Sequence, residues 1–197
     1  MLIYDYDISN LISLAKSDQR YILAIDGLSR SGKTTFVEHL SKHLKKEDTE
    51  FFIFHIDDYI VNRSQRYNTG FEEWYEYFYL QWDVEWLRNN FFEKHRDCNH
   101  VELPYYNNAT DCYETRTIKL PKVGLFIIEG VFLQRHEWKD CYNQILFLDC
   151  PREKRFASES EATKLNREKF KKRYWKAEEY YTNTFSPLNN ADIIIKT

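Results

Sequence analysis

The stretch Gly27 to Thr35, GLSRSGKTT, holds two of the chain's five glycines five residues apart, with a lysine and two threonines directly behind them. The spacing is G-x-x-x-x-G-K-[ST], with Gly27, Gly32, Lys33 and Thr34 at its fixed places. Glycines let the backbone turn tightly enough for successive N–H groups to point inward at phosphate oxygens, and a helix starting behind them adds its positive N-terminal end. In that arrangement Lys33 reaches the β- and γ-phosphates and the Thr34 hydroxyl ligates Mg²⁺. The residues expected to bind a nucleotide are therefore Gly27, Leu28, Ser29, Arg30, Ser31, Gly32, Lys33, Thr34 and Thr35, with ATP and Mg²⁺ as the implied ligands.

Carboxylates end two other apolar runs. In FFIFHIDDYIVNR, Phe51 to Arg63, a strand-like run delivers Asp57 and Asp58. In open α/β sheets ligands sit beyond the carboxyl ends of the strands, so these acids should emerge on the side of the glycine loop, where one could accept a proton from an attacking hydroxyl. For Asp58 an N-cap of the next helix is the equal alternative. In GLFIIEGVFL, Gly124 to Leu133, Glu129 closes a strand just before Gly130, which permits close backbone approach. An acid stranded there is costly unless paired or near a cation, and it suits the Mg²⁺ shell.

The elements that must carry these groups are legible as short apolar runs: Tyr21 to Ile25, Phe51 to Ile56, Leu125 to Ile128, Ile145 to Leu148 and Ile193 to Ile195. Most are continuous rather than alternating, as in strands covered on both faces, and helical segments separate several of them. The expectation is an α/β fold with a largely parallel sheet, in one domain of 197 residues with insertions. Thr34 to Lys46 reads as a helix, and Phe71 to Trp86 as a single helix with an aromatic face formed by Phe71, Trp74, Tyr75, Phe78, Trp82 and Trp86. Two runs around the turn-prone NNATD, between about residues 100 and 120, predict a β-hairpin at the sheet's edge.

Composition narrows the classes further. The four cysteines have neither C-x-x-C pairing nor a zinc pattern, Asp5 and Asp7 stand where a signal peptide would be basic, and no apolar run reaches membrane-span length. A cytoplasmic protein with no membrane partner is the expectation. A net charge of −3 argues against general nucleic-acid binding.

Three motifs in this order, GLSRSGKTT, a strand ending in DDY and a strand ending in EG, resemble the uridine kinase group of P-loop kinases, related to phosphoribulokinases and bacterial pantothenate kinases. The segments RYWKAEEYY and SPLNNADIII are similar to the C-terminal pattern of uridine-kinase-like bacterial proteins. The resemblance implies a five-stranded sheet in the order 2-3-1-4-5 and a mobile lid, here about residues 152–176. It also implies Asp57 as catalytic base, Glu129 as a magnesium residue and Tyr59 beside the acceptor, packing being the alternative for Tyr59. Arg63 joins Asp57 and Tyr59 as a candidate substrate residue. Two elements depart from the pattern. YYNNATDCYETR stands where the group has YDF…HSR, and RFASESEATKLNREKF stands where it has an arginine-rich run.

From Lys164 to Lys176 there are seven basic residues and one acidic. A cationic helix over the phosphates would stabilise the charge that develops in transfer, and Arg167 and Arg173 are the candidates because a guanidinium fork matches phosphate geometry. Together these features predict an ATP- and Mg²⁺-dependent kinase acting on a hydroxyl of a small molecule, such as a nucleoside, with a homo-oligomer left open. A kinase for a sugar or vitamin precursor, a nucleotide-dependent switch, and a polynucleotide 5′-hydroxyl kinase are the alternatives. The chain lacks the N-K-x-D element of GTPase switches, and its charge disfavours the last.

Overall fold

The computed structural model describes residues 19–197. The segment carrying Asp5 and Asp7 lies outside the described residues. Seven strands form among the described residues, β1 (Arg20–Gly27), β2 (Phe51–His55), β3 (His100–Asn107), β4 (Cys112–Lys119), β5 (Gly124–Glu129), β6 (Gln144–Asp149) and β7 (Ile193–Lys196). Five of them build one sheet in the order β2-β5-β1-β6-β7, every neighbouring pair parallel. Numbered among themselves, these strands run 2-3-1-4-5, because the other two belong elsewhere.

Alternation along each strand sorts the core into two halves. Leu23 and Ile25 of β1, Leu125 and Ile127 of β5 and Leu146 and Leu148 of β6 face the helix α1 (Lys33–Lys46), which buries Phe36, Val37, Leu40 and Leu44 against them. Each such side chain contributes about 1.5–3 kcal/mol of hydrophobic stabilisation. Ile22, Ala24, Phe126, Ile128 and Phe147 face the opposite way, into a larger core rich in aromatic rings.

Two expectations need correction. The hairpin β3–β4 forms its own two-stranded antiparallel sheet and is not hydrogen-bonded to the edge of the main one. Its inner residues Val101 and Leu103 instead pack into the aromatic core. The segment Phe71 to Trp86 is not one helix. The helix α2 (Glu73–Tyr79) stops at Leu80, and a new helix, Val84–Leu87, starts where the Asp83 carboxylate accepts the Trp86 N–H. The break lets Trp82 turn inward and donate its indole N–H to the Ile56 carbonyl at 3.0 Å, a bond that a continuous helical path would not reach. Phe71, expected on the helix's aromatic face, precedes α2 and is 59% exposed.

Residues 152–176 follow β6 as a chain of short helices. The helix α3 (Arg152–Ala157) opens it, Glu161–Lys164 and Arg167–Lys169 follow, and a π-helical stretch, Phe170–Trp175, leads into α4 (Lys176–Phe185). No helix among the described residues is long and apolar enough to cross a membrane.

Candidate active site

The carboxyl ends of β1, β2 and β5 meet at one end of the sheet, and a cavity of about 1360 Å³ opens there. Ser29 to Thr35 line one wall, Asp57, Glu129 and Gly130 the floor, and residues from the 152–176 segment the opposite wall. The volume exceeds the usual range for a single small ligand, leaving room for two reactants side by side.

The glycine loop closes only on the residues it has. A Cβ on Gly27, at φ 155°, would come 2.6 Å from Ser31 Oγ and 2.9 Å from the Leu148 carbonyl oxygen. Gly32 sits at φ 92°, a left-handed backbone that disfavours any side chain, and starts α1 without a side-chain cap or an acidic residue in the first turn. The unpartnered N–H groups of that turn are a site for an anion. Lys33 is buried, and its Nζ donates to the carbonyls of Gly27 and Leu28, each at 3.0 Å. Burial pushes its pKa down, and Glu129, Asp26, Asp57 and Glu178 pull it part of the way back. Gly27 and Leu28 thus lie beneath the cavity and hold the lysine, while Ser29 to Thr35 border it.

The acids converge as strand register requires. His55 and Glu129 are paired positions of neighbouring strands, and His55 Nδ1 meets Glu129 Oε1 at 2.8 Å. The same oxygen accepts from Thr34 Oγ1 at 3.3 Å, while Glu129 Oε2 is buried with no hydrogen-bond partner. A hydroxyl beside a half-satisfied carboxylate is a donor set that fits a hard divalent cation. Among the described residues no cluster of three His, Cys, Asp or Glu side chains encloses a metal by itself. Gly130 is needed here, since a Cβ would fall 2.1 Å from Ile56 Cγ2.

Asp57 leaves β2 in the 3₁₀ turn Ile56–Tyr59. Its carboxylate is open to the cavity yet ringed by protein, and this desolvation raises its pKa, against the pull of Lys33. Asp58 caps nothing. The following short helix, Arg63–Arg66, is capped by Asn62, whose side chain accepts the Gln65 N–H.

Besides Gly27 and Leu28, four expected residues lie off the cavity wall. Tyr59 is 5% exposed, donates its hydroxyl to that of Tyr105 at 3.1 Å and packs on Phe91, so it is a core residue. Arg63 is tied to the hairpin turn, through its N–H to Asp111 and its guanidinium to Asn108. Arg173 is 1% exposed, pairs with Glu76 at 3.2 Å and stacks on Tyr67, because the π-helical stretch rotates it toward α2. Arg167 lies over the rings of Phe156 and Trp175.

A buried pair that the motifs do not announce holds the loop. Glu178 of α4 accepts the Ser29 N–H at 3.1 Å and both terminal nitrogens of Arg155, at 2.8 and 3.0 Å. Arg155 also donates to the carbonyls of Ser29, at 2.7 Å, and Cys150, at 3.0 Å. The backbone N–H and carbonyl of Ser29 are therefore both spent on the shape of the loop. Below it, the buried Asp26 carboxylate accepts from Gly27 N–H, Gln134 and Tyr181, and burial raises its pKa. Glu178 lies within the segment RYWKAEEYY, but that pattern gives it no role, because the bond it makes reaches across 149 positions of sequence.

No family model matches the chain. A uridine kinase of Ureaplasma parvum serovar 3 is 22% identical over 140 residues, covering 67% of this chain and 63% of that protein, so the match spans less than two thirds of the relative's length. The solved structure of a possible uridine kinase from Bacillus stearothermophilus is 42% identical, with a TM-score of 0.86 and coverage of 98% of this chain and 96% of that one. A D-glycerate 3-kinase from Cryptococcus neoformans shares the fold at 8% identity, with a TM-score of 0.57. With a glycine loop of this geometry and a relative of this identity and coverage, the chain belongs to the uridine kinase-like P-loop kinases.

Proposed function

We propose that the protein transfers the γ-phosphoryl group of ATP, with Mg²⁺, to a hydroxyl of a small molecule, a nucleoside being the acceptor class that its relatives support. The observation that carries this reading is the convergence of Lys33, Asp57 and the Thr34–Glu129 pair on one cavity large enough for donor and acceptor. The first turn of α1 and Lys33 bind the phosphates. Thr34 and Glu129 would hold the metal, which would supply positive charge to offset that of the phosphates. Asp57 accepts the proton of the acceptor hydroxyl while that oxygen bonds to phosphorus. The bond from phosphorus to the bridging oxygen of the β-phosphate breaks, and its electron pair leaves with ADP. Positioning and fixed charge supply most of the acceleration.

A non-nucleoside acceptor is the second reading, favoured by the hairpin. The Tyr106 hydroxyl donates to Asp111 at 2.9 Å and accepts from Arg66 at 3.0 Å, so it is engaged in the turn rather than free to grip a base. Phosphate transfer from labelled ATP to a panel of nucleosides, sugars and hydroxy acids separates the two readings. In the same assay Asp57→Asn should reduce kcat by about 10²–10⁴-fold with little change in ATP affinity. Because the Asp57 pKa is raised, the acid limb of the wild-type rate profile should lie above the ordinary carboxylate range. Partial rescue by excess Mg²⁺ would move Asp57 into the metal shell, and unaltered turnover would overturn its role as base.

A further inference from the structure

The stretch from residue 152 to 176 carries ten lysines and arginines, and their surroundings separate them. Arg152, Arg155, Lys164, Lys171, Arg173 and Lys176 each pair with a glutamate. Arg167 is laid on two aromatic rings, and Lys172 is exposed away from the cavity lining. Lys154 and Lys169 are the basic residues of this stretch that line the cavity, and neither pairs with a carboxylate among the described residues.

Their positions differ in a way that assigns them different work. Lys169 directly precedes Phe170, whose ring meets Tyr174 at 5.3 Å, and Tyr174 meets Tyr77 at 5.0 Å. These three rings line the cavity together with Asp57, and the Tyr77 hydroxyl feels the Asp57 charge. Lys169 therefore enters over the aromatic wall that adjoins the proposed base. Lys154 stands in α3, one residue before Arg155, which is locked to the glycine loop at Ser29. It enters from the side of the donor's phosphates.

On the kinase reading above, we propose that Lys169 is the catalytic cation that touches the transferring phosphoryl group, while Lys154 contacts the phosphates that remain on the donor. An ammonium on a long flexible stem can follow charge as it moves from the γ- to the β-phosphate. The carboxylates that take Arg152, Arg155 and Arg173 and the rings that take Arg167 explain why this work falls to lysine in this chain.

The test is acetylation footprinting of the full chain read by mass spectrometry, with and without Mg²⁺ plus either a non-hydrolysable ATP analogue or ADP. Calorimetry on the same preparation reports whether each nucleotide binds. Lys169 should be protected by the ATP analogue and not by ADP, Lys154 by both, and Lys171 by neither. Lys169→Met should weaken the preference for the ATP analogue over ADP and reduce transfer by about 10²–10³-fold. Lys169→Arg should restore part of both, and Lys171→Met should change neither. If the nucleotides bind and Lys169 labels equally under all conditions, or Lys169→Met keeps the wild-type preference and rate, the assignment falls while the kinase reading stands. If calorimetry detects no nucleotide binding to the wild-type chain, the kinase reading falls and takes this assignment with it.

Discussion

Replacing Arg155 with methionine removes the partner of a buried carboxylate while keeping most of the side-chain volume. Glu178 then loses bonds of 2.8 and 3.0 Å and keeps only the Ser29 N–H at 3.1 Å. Its side chain is 2% exposed and that of Arg155 5%, so the orphaned charge cannot regain water. Breaking a pair this deep costs about 3–5 kcal/mol, and the Ser29 and Cys150 carbonyls lose their donor as well. For a chain of 197 residues that corresponds to a melting temperature lower by roughly 6–20 °C. Glu178→Leu alone should be comparably damaging. The double variant Arg155→Met with Glu178→Leu buries no charge, so its loss should be well below the sum of the two singles. Urea denaturation of the four proteins, followed by tryptophan fluorescence, measures the cycle. A loss under about 1 kcal/mol for Arg155→Met, the size of a solvent-exposed pair, or strictly additive singles, would refute the view that this pair clamps the glycine loop.

Lys33→Met should keep the melting temperature close to wild type, since burial already disfavours its charge, while transfer falls by at least about 10²-fold; wild-type transfer would remove the lysine from the phosphate site. Glu129→Gln should raise the Mg²⁺ concentration needed for half-maximal activity, because one charge leaves the oxygen set beside Thr34, and an identical magnesium titration would make Glu129 merely structural. Burial pushes the His95 pKa from 6.5 down to about 4. Between those values the unfolded chain binds a proton that the folded chain does not. Stability from this group is therefore complete above pH 6.5 and drains as pH falls toward 4, by up to about 3 kcal/mol. Urea midpoints across that range, compared with those of His95→Gln, check the point, and parallel pH profiles would contradict it.

Local chemistry marked the glycine loop, the two acids and the five sheet strands before any contact was known. Their signals are short-range: a glycine needed for a backbone angle or a close approach, a lysine and a threonine in fixed register behind it, and apolar runs that end on a carboxylate. The hairpin was equally legible, because turn residues between two strand-like runs determine pairing within one segment. Its attachment was not, since an edge partner is chosen by what it can bury, and Val101 and Leu103 find more apolar surface in the aromatic core. The aromatic segment misled for a similar reason. Ring spacing predicted one helix, and the Asp83 cap together with the Trp82 bond to Ile56 divided it.

The cationic segment shows most clearly where sequence stops. Charge density located the basic wall of the cavity, and guanidinium geometry pointed to Arg167 and Arg173. Which cations face the cavity depends on which acids other elements bring to them: Glu76 from α2 takes Arg173, Glu178 from α4 takes Arg155, and rings take Arg167. Such pairings join residues up to 104 positions apart. A charge is free to act on a ligand only when the folded protein has left it unpaired, so packing, rather than residue type, leaves Lys154 and Lys169 facing the cavity.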